Sequence, residues 1–226
     1  LGFIVSADLM YWVRFKRHEK LLRHLSLHSR TVLNTSLLLV VGGAVLFWLL
    51  EWGSIPTGKH RFELILRSLF LSVTARTAGF NTVEVPQLTN AALMVLMILM
   101  VIGASPGSTG GGIKTTTVAA LYSLVRSRLR ARPGPELLNR SLPIEVLGKA
   151  LAATAGFLLT VAVGLILLEY TELGAMANPQ VRGKFLEHLF EVVSATGTVG
   201  LSMGVTPTLT GEGKLVLTGC MFLGRL

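Results

Sequence analysis

The sequence predicts an all-α membrane protein built from repeated units, each a span, a short re-entrant helix, a polar loop and a second span. Three observations carry this. Hydrophobic residues make up 51% of the 226 residues and charged residues 15%, with a mean hydropathy of +0.62, far from the balance of soluble domains. Several apolar stretches reach the ~20 residues that cross a bilayer as a helix. The order of elements in the first half then returns in the second, which marks an internal repeat.

Leu1–Trp12 reads as the inner end of a preceding span, with Tyr11 and Trp12 as interfacial aromatics. Arg14, Lys16, Arg17, Lys20, Arg23 and Arg30 follow as a basic cluster, which places this side in the cytoplasm. Thr31–Trp52 carries no charge before Glu51 and crosses the membrane. After the loop Gly53–His60, the apolar segment Arg61–Thr74 is too short to cross and is expected to be re-entrant. Ala75–Val83 is its polar sequel.

The next stretch, Leu88 to Val125, is 38 residues long, too long for one span. Gly-Ala-Ser-Pro-Gly-Ser-Thr-Gly-Gly-Gly-Ile-Lys interrupts it at 103–114. Pro106 and five glycines fall within ten residues there, more than a kink needs. Broken backbone at membrane depth is tolerated only inside protein or beside a water-filled cavity. This segment is therefore expected to be an obstruction in an ion or solute pathway. It is not a nucleotide-binding P-loop, because Ile113 stands where that motif needs lysine.

Arg126, Arg128, Arg130, Arg132 and Arg140 form a second basic cluster on the cytoplasmic side. Glu145–Tyr170 then crosses again, Gly183–Ala195 is a second short helix, and Thr196–Ser202 is its loop. Gly213–Leu226 opens a last span. The chain begins without methionine and stops soon after an apolar run starts, so a piece of a longer protein is expected. Its expected divisions are 1–30, 31–130, 131–144 and 145–226.

The two halves match as Leu49-Leu50-Glu51-Trp52 with Leu167-Leu168-Glu169-Tyr170, Gly58-Lys59 with Gly183-Lys184, and Leu69-Phe70 with Leu189-Phe190. Thr77-Ala78-Gly79-Phe80 aligns with Thr198-Val199-Gly200-Leu201 once one insertion is allowed. The unit suits cations. A half-helix that ends near the midplane aims its negative end inward, and the loop after it offers carbonyls in place of a hydration shell. Gly79 and Gly200 supply the backbone freedom this needs, and Thr77 and Thr198 add oxygens.

These loops carry a resemblance. Residues 74–82 resemble the third filter loop of the Ktr/Trk potassium transporters, relatives of the plant HKT transporters, and residues 194–202 resemble the fourth. Residues 107–114 are similar to the intramembrane gating loop of the third repeat. Leu1-Gly2-Phe3, Asp8-Leu9 and Ser26-Leu27-His28 resemble the join between the second and third repeats. The resemblance implies a potassium-channel-like pore of four repeats, of which the chain holds two. Residues 1–30 would then close the second repeat, 31–130 form the third, 131–144 link, and 145–226 begin the fourth.

The implied function is potassium uptake through a filter with one glycine per repeat, with sodium or mixed transport as the alternative. The ion sites would be the carbonyls of Thr77, Gly79, Thr198 and Gly200. The gating loop would comprise Gly103, Ser105, Pro106, Gly107, Ser108, Thr109, Gly110, Gly111, Gly112 and Lys114, and Arg225 would add an electrostatic barrier. Lys114 is either a counter-charge near the cavity or a lysine reaching a vestibule. Arg76 is expected in a salt bridge behind the filter, since a cation on the axis would repel the substrate. Glu51, Glu169 and Glu172 are either outer-rim carboxylates or a solvated loop face. Met94, Met97 and Met100 follow helical spacing as lipid-facing or packing residues.

The family implies no cofactor on this chain, a homodimer, and cytosolic RCK/KTN-type regulatory subunits that bind a nucleotide. It implies a multi-pass protein of the bacterial inner membrane. The basic segments 13–30 and 126–140 suit docking of those subunits or anionic lipid headgroups. Nucleic acid is not an expected partner, because no recognition motif accompanies the basic clusters. Cys220 is the single cysteine, which excludes an internal disulfide. His18, His24 and His28 lack metal-ligand spacing. No carboxylate pair, nucleophile–base set or metal cluster lies within a span, so an enzyme lacks support.

Overall fold

A computed structural model describes residues 2–15, 25–52, 61–131, 134–138, 140–174 and 182–225. Lys16, Arg17, His18, Lys20, Arg23, His24, the loop 53–60, Arg132 and Leu226 lie outside the described residues.

The described chain is mostly helical: α1 (Phe3–Phe15), α2 (Leu27–Glu51), α3 (Arg61–Thr74), α4 (Asn90–Val101), α5 (Thr115–Leu129), α6 (Ile144–Leu173), α7 (Arg182–Thr196) and α8 (Gly211–Arg225). Two of these, α2 and α6, are long and apolar enough to cross a membrane. Their outer faces carry exposed Leu37, Leu38, Leu158, Leu159 and Ile166, as lipid contact requires. A hairpin the sequence did not announce joins α5 to α6, with β1 (Glu136–Leu137) paired antiparallel to β2 (Arg140–Ser141). The Ser123 hydroxyl holds it to α5 by donating to the Glu136 carbonyl at 3.0 Å.

Helix starts are capped where hydroxyls precede apolar runs. Ser26 accepts from the Ser29 amide at 3.1 Å, Thr89 from Ala92 at 3.3 Å, and Thr210 from Gly213 at 3.1 Å. The last two are equivalent positions in the two halves. In turn Glu51 accepts from the Thr89 amide at 3.1 Å and its hydroxyl at 2.9 Å, across 38 positions. Glu172 does the same for Thr210, at 2.8 and 2.7 Å and again across 38 positions.

The repeat therefore runs in one register. Glu51 corresponds to Glu172, Thr89 to Thr210 and Gly79 to Gly200, each pair 121 positions apart with no insertion. Helices α3 and α7 also start 121 positions apart. This corrects the expected match of Glu51 with Glu169, which lies one helical turn off. These carboxylates also have internal partners. Glu51 and Glu172 tie span ends to the caps of the following helices, and Glu169 meets the buried His188 ring nitrogen at 2.9 Å.

The core gathers where the two short helices meet α4. Phe47, Leu71, Leu88, Leu96, Met100, Phe190 and Val193 form one buried cluster that also includes Val199 and Leu201. Met97 is 5% and Met100 0% exposed while Met94 is 52% exposed, so two of the three methionines pack and one faces outward. A second cluster joins Leu168, Val192, Leu217 and Cys220. Helices approach closely at matching glycines, as membrane bundles do. A Cβ on Gly43 would lie 2.4 Å from Ser72 Oγ, and one on Gly164 2.5 Å from Cys220 Sγ.

Candidate functional site

Both short helices end in loops of the same shape. Thr77 has φ +66° and Gly79 +74°; Thr198 has φ +53° and Gly200 +90°. A β-branched residue in the left-handed region is an outlier that costs about 1–3 kcal/mol and persists only where surroundings impose it. The sequence pointed to the glycines and did not reveal the strain at both threonines. Positive φ at every second residue gathers successive amides on one side, and the hydrogen bonds identify that side as the helix end. The Ala78 and Gly79 amides donate to the Thr74 carbonyl at 3.2 and 3.3 Å, and Val199 donates to Ser194 at 2.9 Å. Among the described residues, no backbone hydrogen bond uses the carbonyls of Thr77, Gly79, Thr198 or Gly200.

The two loops touch. A Cβ on Gly79 would lie 2.3 Å from the Val199 carbonyl oxygen. Phe80 is 71% exposed whereas Leu201 is 2% exposed. The outer legs are braced differently. Thr74 donates its hydroxyl to the Phe80 carbonyl at 2.7 Å. In the loop after α7, Glu191 accepts from Ser202, Met203 and Thr206.

Arg76 forms no ion pair among the described residues, so the expected salt bridge is not found there. Its guanidinium donates to the Ser36 carbonyl of α2 at 3.4 Å. It borders a cavity of about 510 Å³ shared with Thr77, Ser105, Ser108 and Gly110.

The glycine-rich segment lies against both loops. The Gly111 amide donates to Thr198 Oγ1 at 2.6 Å. A Cβ on Gly110 would sit 2.5 Å from Thr77 Oγ1. One on Gly103 would sit 1.9 Å from the Gly111 carbonyl oxygen. These glycines thus permit close packing, and only Gly107 (φ +72°) and Gly112 (φ +76°) are required by positive φ.

Cations hold the segment from two directions. Lys114 Nζ folds back onto the Gly110 carbonyl, and Arg225 reaches the Thr109 carbonyl from the end of α8. Ser108 donates its hydroxyl to the Ser105 carbonyl at 2.6 Å. The start of α1 joins in: the Phe3 amide donates to the Gly107 carbonyl at 3.1 Å, and Gly2 packs against Pro106. Asp8 connects this end to α2 by accepting from the Ser26 and Ser29 hydroxyls at 2.8 and 2.6 Å. Gly2 and Phe3 are contacts the sequence did not disclose, because they are more than 100 positions from their partners.

Comparison with known proteins bears on this arrangement. The potassium/sodium uptake protein NtpJ of Enterococcus hirae is 36% identical over all of this chain and 48% of its own length. The Ktr system potassium uptake protein B of Vibrio alginolyticus is 36% identical over all of this chain and 47% of its own. The chain thus spans about half the length of these relatives. The potassium transporter TrkH of Vibrio parahaemolyticus shares the fold, with a TM-score of 0.74 at 20% identity over all of this chain and 47% of that one. The model of the TrkH family, described as cation transport protein, matches residues 1–226, and the chain therefore belongs to that family.

Proposed function

We propose that the full-length protein carries potassium into the cell across the bacterial inner membrane by channel-like permeation. Ions would exchange their water shell for the carbonyl oxygens of Thr77, Gly79, Thr198 and Gly200, with one glycine from each repeat in the filter. Residues 103–114 block the way at rest and move aside for conduction. The membrane potential supplies about 2.3 kcal/mol per charge per 100 mV, enough to drive inward flow.

The observation that carries the reading is the contact between the glycine-rich segment and both loop threonines, through Gly111 to Thr198 and Gly110 to Thr77. An obstruction seated there adjoins the two loops whose carbonyls take no backbone hydrogen bond among the described residues. Arg225 and Lys114 bring positive charge to the same level, which lowers cation occupancy while the segment is closed. Residues 31–130 and 145–226 act as the third and fourth of four repeats. In the membrane the protein pairs as a homodimer, and nucleotide-binding regulatory subunits dock on its basic cytoplasmic face beside anionic lipids.

A second reading, sodium or mixed sodium/potassium transport, is favoured by the name of the Enterococcus hirae relative, a potassium/sodium uptake protein. Glycine at positions 79 and 200 argues for potassium, because a serine side chain would intrude where the larger ion must fit.

The test measures rubidium and sodium uptake by the full-length parent in cells without potassium uptake of their own. Gly79→Ser is expected to abolish rubidium uptake or its preference over sodium, and deletion of 105–112 to raise flux. Equal transport by Gly79→Ser and the parent would refute the filter. Unchanged or lower flux in the deletion, at normal membrane abundance, would refute the gate.

A further inference from the structure

We propose that Glu191 is a positioning residue for the fourth-repeat filter loop and that it sets the preference between cations. The inference rests on the uptake reading above and goes beyond it in assigning a side chain outside the loop. Glu191 sits on α7 and is 4% exposed. A carboxylate enters an apolar interior only when its lone pairs are filled. Glu191 Oε1 accepts from the Ser202 hydroxyl at 2.6 Å and the Met203 amide at 3.0 Å, and Oε2 from the Thr206 hydroxyl at 2.7 Å. The two hydroxyl bonds are short, as bonds to a carboxylate are.

All three donors belong to residues 202–206, the leg that leaves the filter just after Gly200. Ser202 extends the grip by accepting from the Gly204 amide at 2.9 Å. A shift of this leg moves Leu201 and Gly200, whose carbonyls would line the pathway. The matching position in the third-repeat helix, 121 residues earlier, is Phe70, which has no acceptor to offer. The brace is therefore particular to one loop, and Glu191 acts through Ser202, Met203 and Thr206 without touching the ion.

The experiment compares the rubidium-to-sodium uptake ratio of the full-length parent with that of Glu191→Gln, Glu191→Ala and Thr206→Val, each normalised to protein in the membrane. Glu191→Gln should keep the parent's ratio, because its carbonyl still accepts from Ser202 and Met203 while its amide donates to Thr206. Glu191→Ala should lower the ratio about tenfold, equivalent to about 1.4 kcal/mol of discrimination, and Thr206→Val should lower it less. An unchanged ratio in Glu191→Ala overturns the proposal. So does Glu191→Gln losing as much as Glu191→Ala, since charge and not hydrogen bonding would then be acting. If Glu191→Ala fails to reach the membrane, an unchanged ratio in Thr206→Val is decisive against it. A parent that moves neither cation refutes the uptake reading itself, an outcome separate from these.

Discussion

The two repeats present the same inner loop and hold it by different means. In both, a threonine and a glycine two residues apart adopt positive φ, and amides turn back to the helix end. That part depends on backbone geometry, so the side chains around it are free to differ. The outer legs do differ. One is held by the Thr74 hydroxyl on the Phe80 carbonyl, the other by the Glu191 carboxylate. A duplicated backbone thus sets the position of the carbonyls, and unrelated side chains adjust how firmly each loop is held.

The strongest way to break this equivalence is to add one methyl group to each glycine. Gly79→Ala would bring Cβ to 2.3 Å from the Val199 carbonyl oxygen, whereas at Gly200 the nearest atom is 3.9 Å away. Both variants carry the left-handed strain of about 1–2 kcal/mol, but only the first also clashes with backbone. Rubidium uptake per inserted protein should be almost lost in Gly79→Ala and reduced in part in Gly200→Ala. Equal losses would mean that the loops are not packed as described.

A smaller effect should come from the span glycines, where the repeats again match in geometry and differ in neighbours. Gly43→Ala meets Ser72 Oγ and, at 2.8 Å, Leu99 Cδ1; Gly164→Ala meets Cys220 Sγ and, at 3.3 Å, Val192 Cγ1. Overpacking of this kind costs about 1–3 kcal/mol, which thermal unfolding of the detergent-solubilised parent would reveal. Adding Cys220→Ala should restore much of the loss in Gly164→Ala. No restoration would show that the strain arises elsewhere.

The smallest difference is expected at the helix ties. Glu51→Ala and Glu172→Ala each remove two hydrogen bonds from a capping threonine, worth about 1–3 kcal/mol. The two melting temperatures should fall by similar amounts. Markedly unequal shifts would sharpen the comparison by showing that one repeat relies more on its tie.

Local features of the sequence anticipated much of this. Length and apolarity found α2 and α6, and brevity set apart α3, whose bounds Arg61–Thr74 match the expected segment. The cluster of Pro106 with five glycines marked the break between α4 and α5. What escaped was the register of the repeat and the contacts across it. Leu-rich runs resemble themselves after one helical turn, so Glu169 was an easy false match for Glu51. The better signal was polar: a glutamate at a span end with a capping threonine 38 positions on. Glu191 also escaped, although a lone acid in Leu189-Phe190-Glu191-Val192-Val193, followed by hydroxyl residues, was a signal for it. Arg225 and Thr109, 116 positions apart, left no local trace.

The paired ties also make each short helix and its loop a cassette clamped at both ends. Residues 52–88 and 173–209 are equal in length between identical Glu–Thr clasps. Closing the ends in advance removes most of the entropy that loop exchange would otherwise lose. One cassette is therefore expected to fit the other's socket with no change in linker length, which makes the chain a natural scaffold for chimeras with two identical short-helix and loop segments.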